Sequence, residues 1–295
     1  MKLNNNWVKY SVSVSEEFVE PVVQMFSKFL QSGVVVEKLG DPEDKAQSKE
    51  SVVSGFVLHD FANNDLENNL KAGLSLFSGV FEISDLGVDE ISSDVWEKQK
   101  FDPIIIDDVA ILPSRKEIKR FKNNIWVIVE PSMAFGTGHH PTTKMCISII
   151  KKYLFEGSRI VDIGCGSGIL GIVALKLGAT HCLSIDVEEE SVKASIKNAE
   201  DSEVNNLITV ERQDLLKSLN ISDNPDIIIA NLNSFLFREG LEHISKFISP
   251  EKIIIASGIL INNLNEIEEI FYLNKFNIID RHQSGDWAAI VARKK

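Results

Sequence analysis

Residues 159–171 read RIVDIGCGSGILG: an apolar run passes through Asp162 into three alternating glycines, Gly164, Gly166 and Gly168, and continues straight into a second apolar run. Glycine carries no Cβ and adopts positive φ at little steric cost, so a strand ending in such a loop turns sharply and lets a ligand approach its backbone. The form is that of a cradle for a nucleotide-like cofactor. Nicotinamide and flavin enzymes use a related G-x-G-x-x-G turn, and a purely structural turn would also supply glycines. Asp186, which closes HCLSID 22 residues beyond Gly164, stands where a second strand presents a carboxylate to a ribose diol. Its bland alternative is a strand-end Asp that caps the helix of EEESVKASIKNAE.

Outward from this loop, strands and helices alternate. RIVDI, HCLSID, LITVE, PDIIIAN and KIIIAS read as strands, with helices through Leu177, through Ala199, from Phe235 and around Ile267. FNIIDRHQ and WAAIVARK, joined by a Ser284-Gly285-Asp286 turn, read as an antiparallel pair. Such alternation predicts a parallel α/β sheet covered on both faces, with ligands beyond the carboxyl ends of its strands. IWVIVEP, from Ile125, reads as the strand that enters this domain, which is expected to span 123–295.

The first 88 residues read as a smaller α+β domain. Val8, Tyr10, Val12 and Val14 alternate with polar residues as in a half-buried strand, and Ser15 is expected to cap a helix carrying Phe18, Val22, Met25, Phe26 and Phe29, with Pro21 shortening or kinking it. Strands at Val34 to Glu37, Val52 to Leu58 and Val80 to Ile83, a polar loop from Asp41 to Glu50 and a helix near Leu66 to Phe77 complete a βαββαβ order, the ferredoxin-like arrangement. Residues 89–122 are expected to form a linker that becomes strand or loop against the larger domain.

Composition narrows the function classes. With 295 residues and 44% apolar content the chain can bury a full core and form two domains. No apolar run approaches a membrane span and the start lacks a signal-peptide pattern, which sets a cytoplasmic location as the expectation. A net charge of -12 disfavours nucleic acid as the direct substrate and suits an encounter with a Lys-rich protein. Cys146, Cys165 and Cys182 show no C-x-x-C spacing, so reduced thiols are expected rather than disulfides or a metal site.

The D-x-G-x-G-x-G run from Asp162 looks like the signature of class I methyltransferases, which bind S-adenosylmethionine. EPSMAFGTGHHPTTKMC before the first core helix, IIIANLNSF after the fourth strand, and SGIL at Ser257 to Leu260 resemble the ribosomal protein L-eleven (L11) methyltransferase family. The likeness spans most of residues 94–295, with AFGTGHHPTT its most specific segment and DVWEKQKFDPI, from Asp94 to Ile104, a weaker echo. It implies a Rossmann-like seven-stranded sheet, S-adenosylmethionine as methyl donor, and lysine ε-amines or the N-terminal α-amine of the L11 protein as acceptors, while nothing in the sequence calls for more than a monomer. The same chemistry on lysines of another protein, such as a flavoprotein subunit, is the nearer alternative; a NAD-dependent oxidoreductase and a cofactor-binding scaffold are the distant ones.

By position, Thr143, Gly164, Asp186 and Asn231 match the family's cofactor contacts, at spacings of 21 residues from Thr143 to Gly164 and 22 from there to Asp186. Asp162 and Gly166 belong to the same cradle, and Phe135 is expected to pack on the cofactor or line the substrate channel. Asn231 is the candidate catalytic residue: at the end of the fourth strand its carboxamide can accept a hydrogen bond from an attacking amine, with helix capping as the bland alternative. His139 and His140 form no ligand cluster; His140-Pro141 is read as a helix start rather than a metal site. The chain departs from the family at Leu232-Asn233-Ser234-Phe235, where a small aliphatic stretch is usual, and at Ser132-Met133 in place of Gly-Leu.

Overall fold

The alternation in residues 7–15 is realised as strand β1 (Trp7–Ser15): Val8, Tyr10, Val12 and Val14 are buried and their neighbours are not. A computed structural model describes residues 7–15, 18–30, 34–38, 50–59, 62–78, 83–91, 103–129, 138, 140–221 and 224–295. The chain divides into two units, Met1–Lys100 and Phe101–Lys295. Among the described residues no helix is long and apolar enough to cross a membrane.

In the first unit β1 is followed by α1 (Val19–Phe29), β2 (Val34–Lys38), β3 (Glu50–Leu58), α2 (Asn64–Ser78) and β4 (Gly87–Ile91). The sheet order β2-β3-β1-β4, antiparallel throughout, is the ferredoxin-like one. Val22, Phe26 and Leu30 of the first helical segment are buried against Tyr10, Val12 and Val53. Ser15 does not cap α1. It is still paired with Glu50 in the sheet, and Phe18 stands at the N-cap position of the helix. Pro21 falls third in α1, within the first turn, where a missing N–H breaks no intrahelical bond. The last described strand of this unit is β4 at Gly87–Ile91; of the expected strand at Val80 to Ile83, only Ile83 lies among the described residues. Ile83 makes only an isolated bridge to Val14, and residues 79–82 are outside the described set, as are 41–49 of the expected loop. As an edge strand paired only with β1 and exposed at its middle three residues, β4 lacks the apolar signature of a strand.

The second unit begins ahead of Ile125. Strands β5 (Ile104–Ile106), β6 (Val109–Leu112) and β7 (Ile125–Ile128) form a small sheet of their own, so β7 pairs with β6 and does not enter the large sheet. Residues 94–102 of the weaker family echo lie outside the described set. The large sheet comprises β8 (Arg159–Ile163), β9 (His181–Asp186), β10 (Ile208–Arg212), β11 (Ile227–Asn231), β12 (Ile253–Leu260), β13 (Phe276–Ser284) and β14 (Trp287–Lys294), in the order β10-β9-β8-β11-β12-β14-β13. All pairs are parallel except those of β14, which runs antiparallel to both β12 and β13. Helices α3 (Pro141–Tyr153), α4 (Ile169–Lys176), α5 (Glu189–Asp201), α6 (Ser234–Ser245) and α7 (Leu264–Leu273) connect and cover it.

Residue parity sorts the sheet into two cores. Ile160, Ile227, Ile229 and Ile255 meet Cys146 and Ile150 of α3 and Ile172 of α4, while Ile228, Ala230 and Ile254 meet Phe237 and Leu241 of α6 and Phe271 of α7. A fully buried side chain such as Phe237 stabilises the fold by roughly 1.5–3 kcal/mol, so these two layers hold the strand ends rigidly. Chain order reverses between β8 and β11, which opens a crevice at their carboxyl ends.

Candidate functional site

The glycine loop lines that crevice. Gly164, Gly166 and Gly168 have φ of 70°, 53° and 78°, and the amides of Gly164 and Cys165 both donate to the Ile185 carbonyl, at 2.9 and 3.0 Å, stitching the loop to β9. Gly168 is the left-handed N-cap of α4, and a Cβ there would lie 2.2 Å from Ser195 Oγ and 3.2 Å from Ser195 Cα. No other residue fits so close to α5 without displacing it. From the same helix Asn198 Nδ2 donates to the Ser167 carbonyl at 2.9 Å, so α5 both crowds the loop and holds it.

Two carboxylates flank the loop. Asp186 Oδ2 accepts from the Gly166 amide and Oδ1 from the Glu188 amide, both at 2.9 Å. Glu188, not Asp186, is the N-cap of α5. Each bonded oxygen retains a further lone pair, so Asp186 can still accept from a ribose diol. Burial raises its pKa, opposed by the bonds from Glu188 and Gly166. Asp162 is 1% exposed and accepts from the Gly171 amide in the first turn of α4 at 3.1 Å. Burial pushes its carboxyl up to about 7, with the negative charge of Asp186 adding to the shift. Burial and Asp186 likewise raise Glu188, while Arg212 opposes. Three acids held above their ordinary range in one crevice favour a cationic ligand.

On the other side of β8, Asn231 continues the alternation of Ile227 and Ile229 and so faces the α3 layer, where it pairs in register with Ser257 of β12. The Ser257 hydroxyl donates to the Ala288 carbonyl at 3.4 Å and bears on the buried Cys146 thiol of α3. Thr143 lies one turn earlier on that helix and is 1% exposed. Its Oγ1 has no hydrogen-bond partner among the described residues. A buried hydroxyl left so costs about 1–3 kcal/mol, which makes this atom a place for a ligand to bond. The two halves of the site meet at Leu232, whose Cδ2 is 2.5 Å from where a Gly164 Cβ would be.

Asn231 does not cap a helix. The Asn233 side chain accepts from the Leu236 amide at 2.9 Å and caps α6. Gly258, within SGIL, shapes the site although only a lone glycine in the sequence marks it. Its φ is 83°, the ladder between β12 and β14 shifts there, and a Cβ would lie 2.3 Å from the Leu232 carbonyl oxygen and 3.2 Å from Asn231 Oδ1. The signal available was a lone glycine inside an apolar strand, which marks a bulge or a close approach.

His140 is the N-cap of α3 with Pro141 at the first helical position. Its Nδ1 accepts from the Thr142 amide at 3.3 Å, and burial lowers its pKa to about 4, so the ring is neutral. Cys146, Cys165 and Cys182 are buried free thiols. Gly138 is buried in a slot where a Cβ would lie 2.6 Å from Ile111 Cδ1. Phe135, with Ser132, Met133, Gly136 and His139, lies outside the described residues.

The crevice fits S-adenosylmethionine: carboxylates for its two cationic centres and its ribose, a buried hydroxyl in want of a partner, and a loop with three left-handed glycines. Comparison with known proteins agrees. Residues 6–295 match the model of the family described as "Ribosomal protein L11 methyltransferase (PrmA)". The ribosomal protein L11 methyltransferase of Listeria innocua serovar 6a is 31% identical, covering 98% of this chain and 98% of its own. That of Dictyoglomus turgidum is 35% identical over 68% of this chain and 65% of its own. The crystal structure of ribosomal protein L11 methylase from Lactobacillus delbrueckii subsp. bulgaricus superposes with a TM-score of 0.60 at 27% identity, covering 66% of this chain and 100% of that one. The glycine cradle and the match along almost its whole length place this chain in the ribosomal protein L11 methyltransferase family, whose methyl donor is S-adenosylmethionine.

Proposed function

We propose that the protein transfers methyl groups from S-adenosylmethionine to amino groups of ribosomal protein L11, at lysine ε-amines, the N-terminal α-amine or both. The observation that carries the reading is Asn231. Its carboxamide stands at the end of β11 beside the glycine loop, and Asn233 relieves it of any capping duty. A ribosomal acceptor places the reaction in the cytoplasm, and the reading requires neither a second copy of the chain nor a nucleic-acid substrate. Residues 1–88, within the first unit, are assigned to recognition of the acceptor protein.

Bound S-adenosylmethionine supplies an electrophilic methyl carbon on a positively charged sulfur. When it is bound, Asp186 would hold the ribose diol, Thr143 Oγ1, unpartnered among the described residues, would bond the cofactor, and Asp162 and Asp186 would set a negative field that balances the cationic centres. Asn231 Oδ1 accepts a hydrogen bond from the incoming amine and aims its lone pair along the line of displacement. Only the neutral amine attacks. A lysine, with an ordinary pKa near 10.4, reaches that form more readily when removed from water beside a cation. The new N–C bond would form as the S–C bond breaks with its electron pair going to sulfur, and the product ammonium would give its proton to water. Positioning supplies the acceleration, with no metal in the step.

The test is transfer of labelled methyl from S-adenosylmethionine to purified L11, with peptide mapping of the label and the Asn231→Ala enzyme alongside. Transfer that collapses in the variant supports the reading and locates the amines. Cofactor binding with no transfer to L11 would move the acceptor to another protein.

A further inference from the structure

We infer that His140 and Trp287 are a positioning pair that fixes the first turn of α3 and thereby presents the Thr143 hydroxyl to the cofactor. The inference rests on the reading of Thr143 as a cofactor contact. His140 grips the turn through both of its halves. Its backbone carbonyl accepts from the Thr143 amide at 3.1 Å and from Lys144 at 3.2 Å. Its ring Nδ1 accepts from the Thr142 amide at 3.3 Å and lies 2.7 Å from Thr142 Oγ1. Because a backbone N–H can only donate, Nδ1 carries no proton, and the Thr142 hydroxyl donates to it as well.

Trp287 braces this imidazole from outside its own turn. Its ring meets that of His140 edge to face, with centroids 4.8 Å apart and planes at 72°. Trp287 is itself fixed, at the start of β14 and in register with Leu260 of β12, and α3 packs on both strands. The indole therefore braces the imidazole from the sheet, the imidazole sets Thr142, and the next residue is Thr143, 1% exposed with its Oγ1 unpartnered among the described residues. Burial keeps His140 neutral and Nδ1 an acceptor throughout the physiological range. Neither residue needs to touch the cofactor.

The experiment measures the S-adenosylmethionine dissociation constant, the KM for the acceptor protein and the thermal midpoint for the full-length chain and its Thr143→Ala, His140→Ala, His140→Asn, Trp287→Leu and Trp287→Phe variants, with the His140→Ala/Trp287→Leu double variant. His140→Ala is expected to weaken S-adenosylmethionine about tenfold, the equivalent of one lost cap, with acceptor KM unmoved. His140→Asn, which keeps a capping oxygen, restores binding to within about threefold, and Trp287→Phe keeps more affinity than Trp287→Leu. If Trp287 acts through His140, the double variant binds no more weakly than His140→Ala alone. Multiplying effects, or unchanged binding in both His140 variants, would overturn the pairing. Unchanged binding in Thr143→Ala would overturn the reading of Thr143 and the inference with it, whereas a weakened Thr143→Ala beside an unaffected His140→Ala sinks the inference alone.

Discussion

The Gly166 amide donates directly to Asp186 Oδ2 at 2.9 Å, so the carboxylate at the tip of β9 holds the glycine loop as well as facing the ribose position. Its other oxygen receives the Glu188 amide. Both partners are donors, so the Asp186→Asn change must turn an NH2 group toward one of them. Charged hydrogen bonds of this kind contribute about 1.5–3 kcal/mol each. The expected outcome is S-adenosylmethionine binding weakened by about tenfold or more, read by titration calorimetry. An unchanged dissociation constant would show that Asp186 meets no part of the cofactor.

Asp162 makes the site sensitive to pH. Its folded pKa is raised from 3.8 to about 7. A carboxyl raised in this way contributes stability that is fully present below its unfolded value and lost as pH climbs through its folded value. The thermal midpoint of the ligand-free protein should therefore fall, from this group, between about pH 4 and about pH 7, and Asp162→Asn should flatten that fall. A cationic ligand favours the ionised carboxylate, so binding should release a proton near neutrality. Calorimetry in buffers of different ionisation heat measures it. Equal heats in all buffers would mean that Asp162 does not feel the ligand.

The core of this arrangement was legible because it is periodic. Five strands carry apolar runs whose alternate residues share a face, and one such face packs against α3, α4 and α5. What was not legible depends on single residues meeting across the sheet. Asn231 and Asn233 are two apart on one chain, and only the turn between them decides that Asn233 caps α6. The pairing of β6 with β7 joins two four-residue strands across an intervening helical turn, which no local pattern encodes. At β4 an edge exposed at its middle three residues carries little apolar signal, so no local pattern marks it as a strand.

Gly258 tests how tightly the strand end is built. Its left-handed backbone disfavours any other residue by roughly 1–2 kcal/mol, and the overlap with the Leu232 carbonyl adds about 1–3 kcal/mol unless β11 moves. Gly258→Ala is expected to lower the thermal midpoint by several degrees and, by pressing on Asn231 Oδ1, to reduce kcat more than it raises either KM. A variant that loses stability but keeps full kcat would show that Asn231 tolerates displacement.

Asn231 and Asn233 should separate chemistry from stability. Asn233→Ala removes the side-chain cap of α6, a loss of about 1 kcal/mol. That lowers the thermal midpoint by roughly 2–4 °C in a unit of this size while methyl transfer persists. Asn231→Ala removes no cap and leaves the apolar layers intact, so its midpoint should stay near that of the unaltered protein. Its kcat should fall on the order of a hundredfold, because the amine loses the acceptor that aligns it. Both variants are read by the same two measurements, thermal unfolding and initial rate at saturating cofactor and acceptor. The crossed result, with Asn231→Ala unstable but active and Asn233→Ala stable but slow, would assign the chemistry to Asn233 and reverse the roles of the two residues.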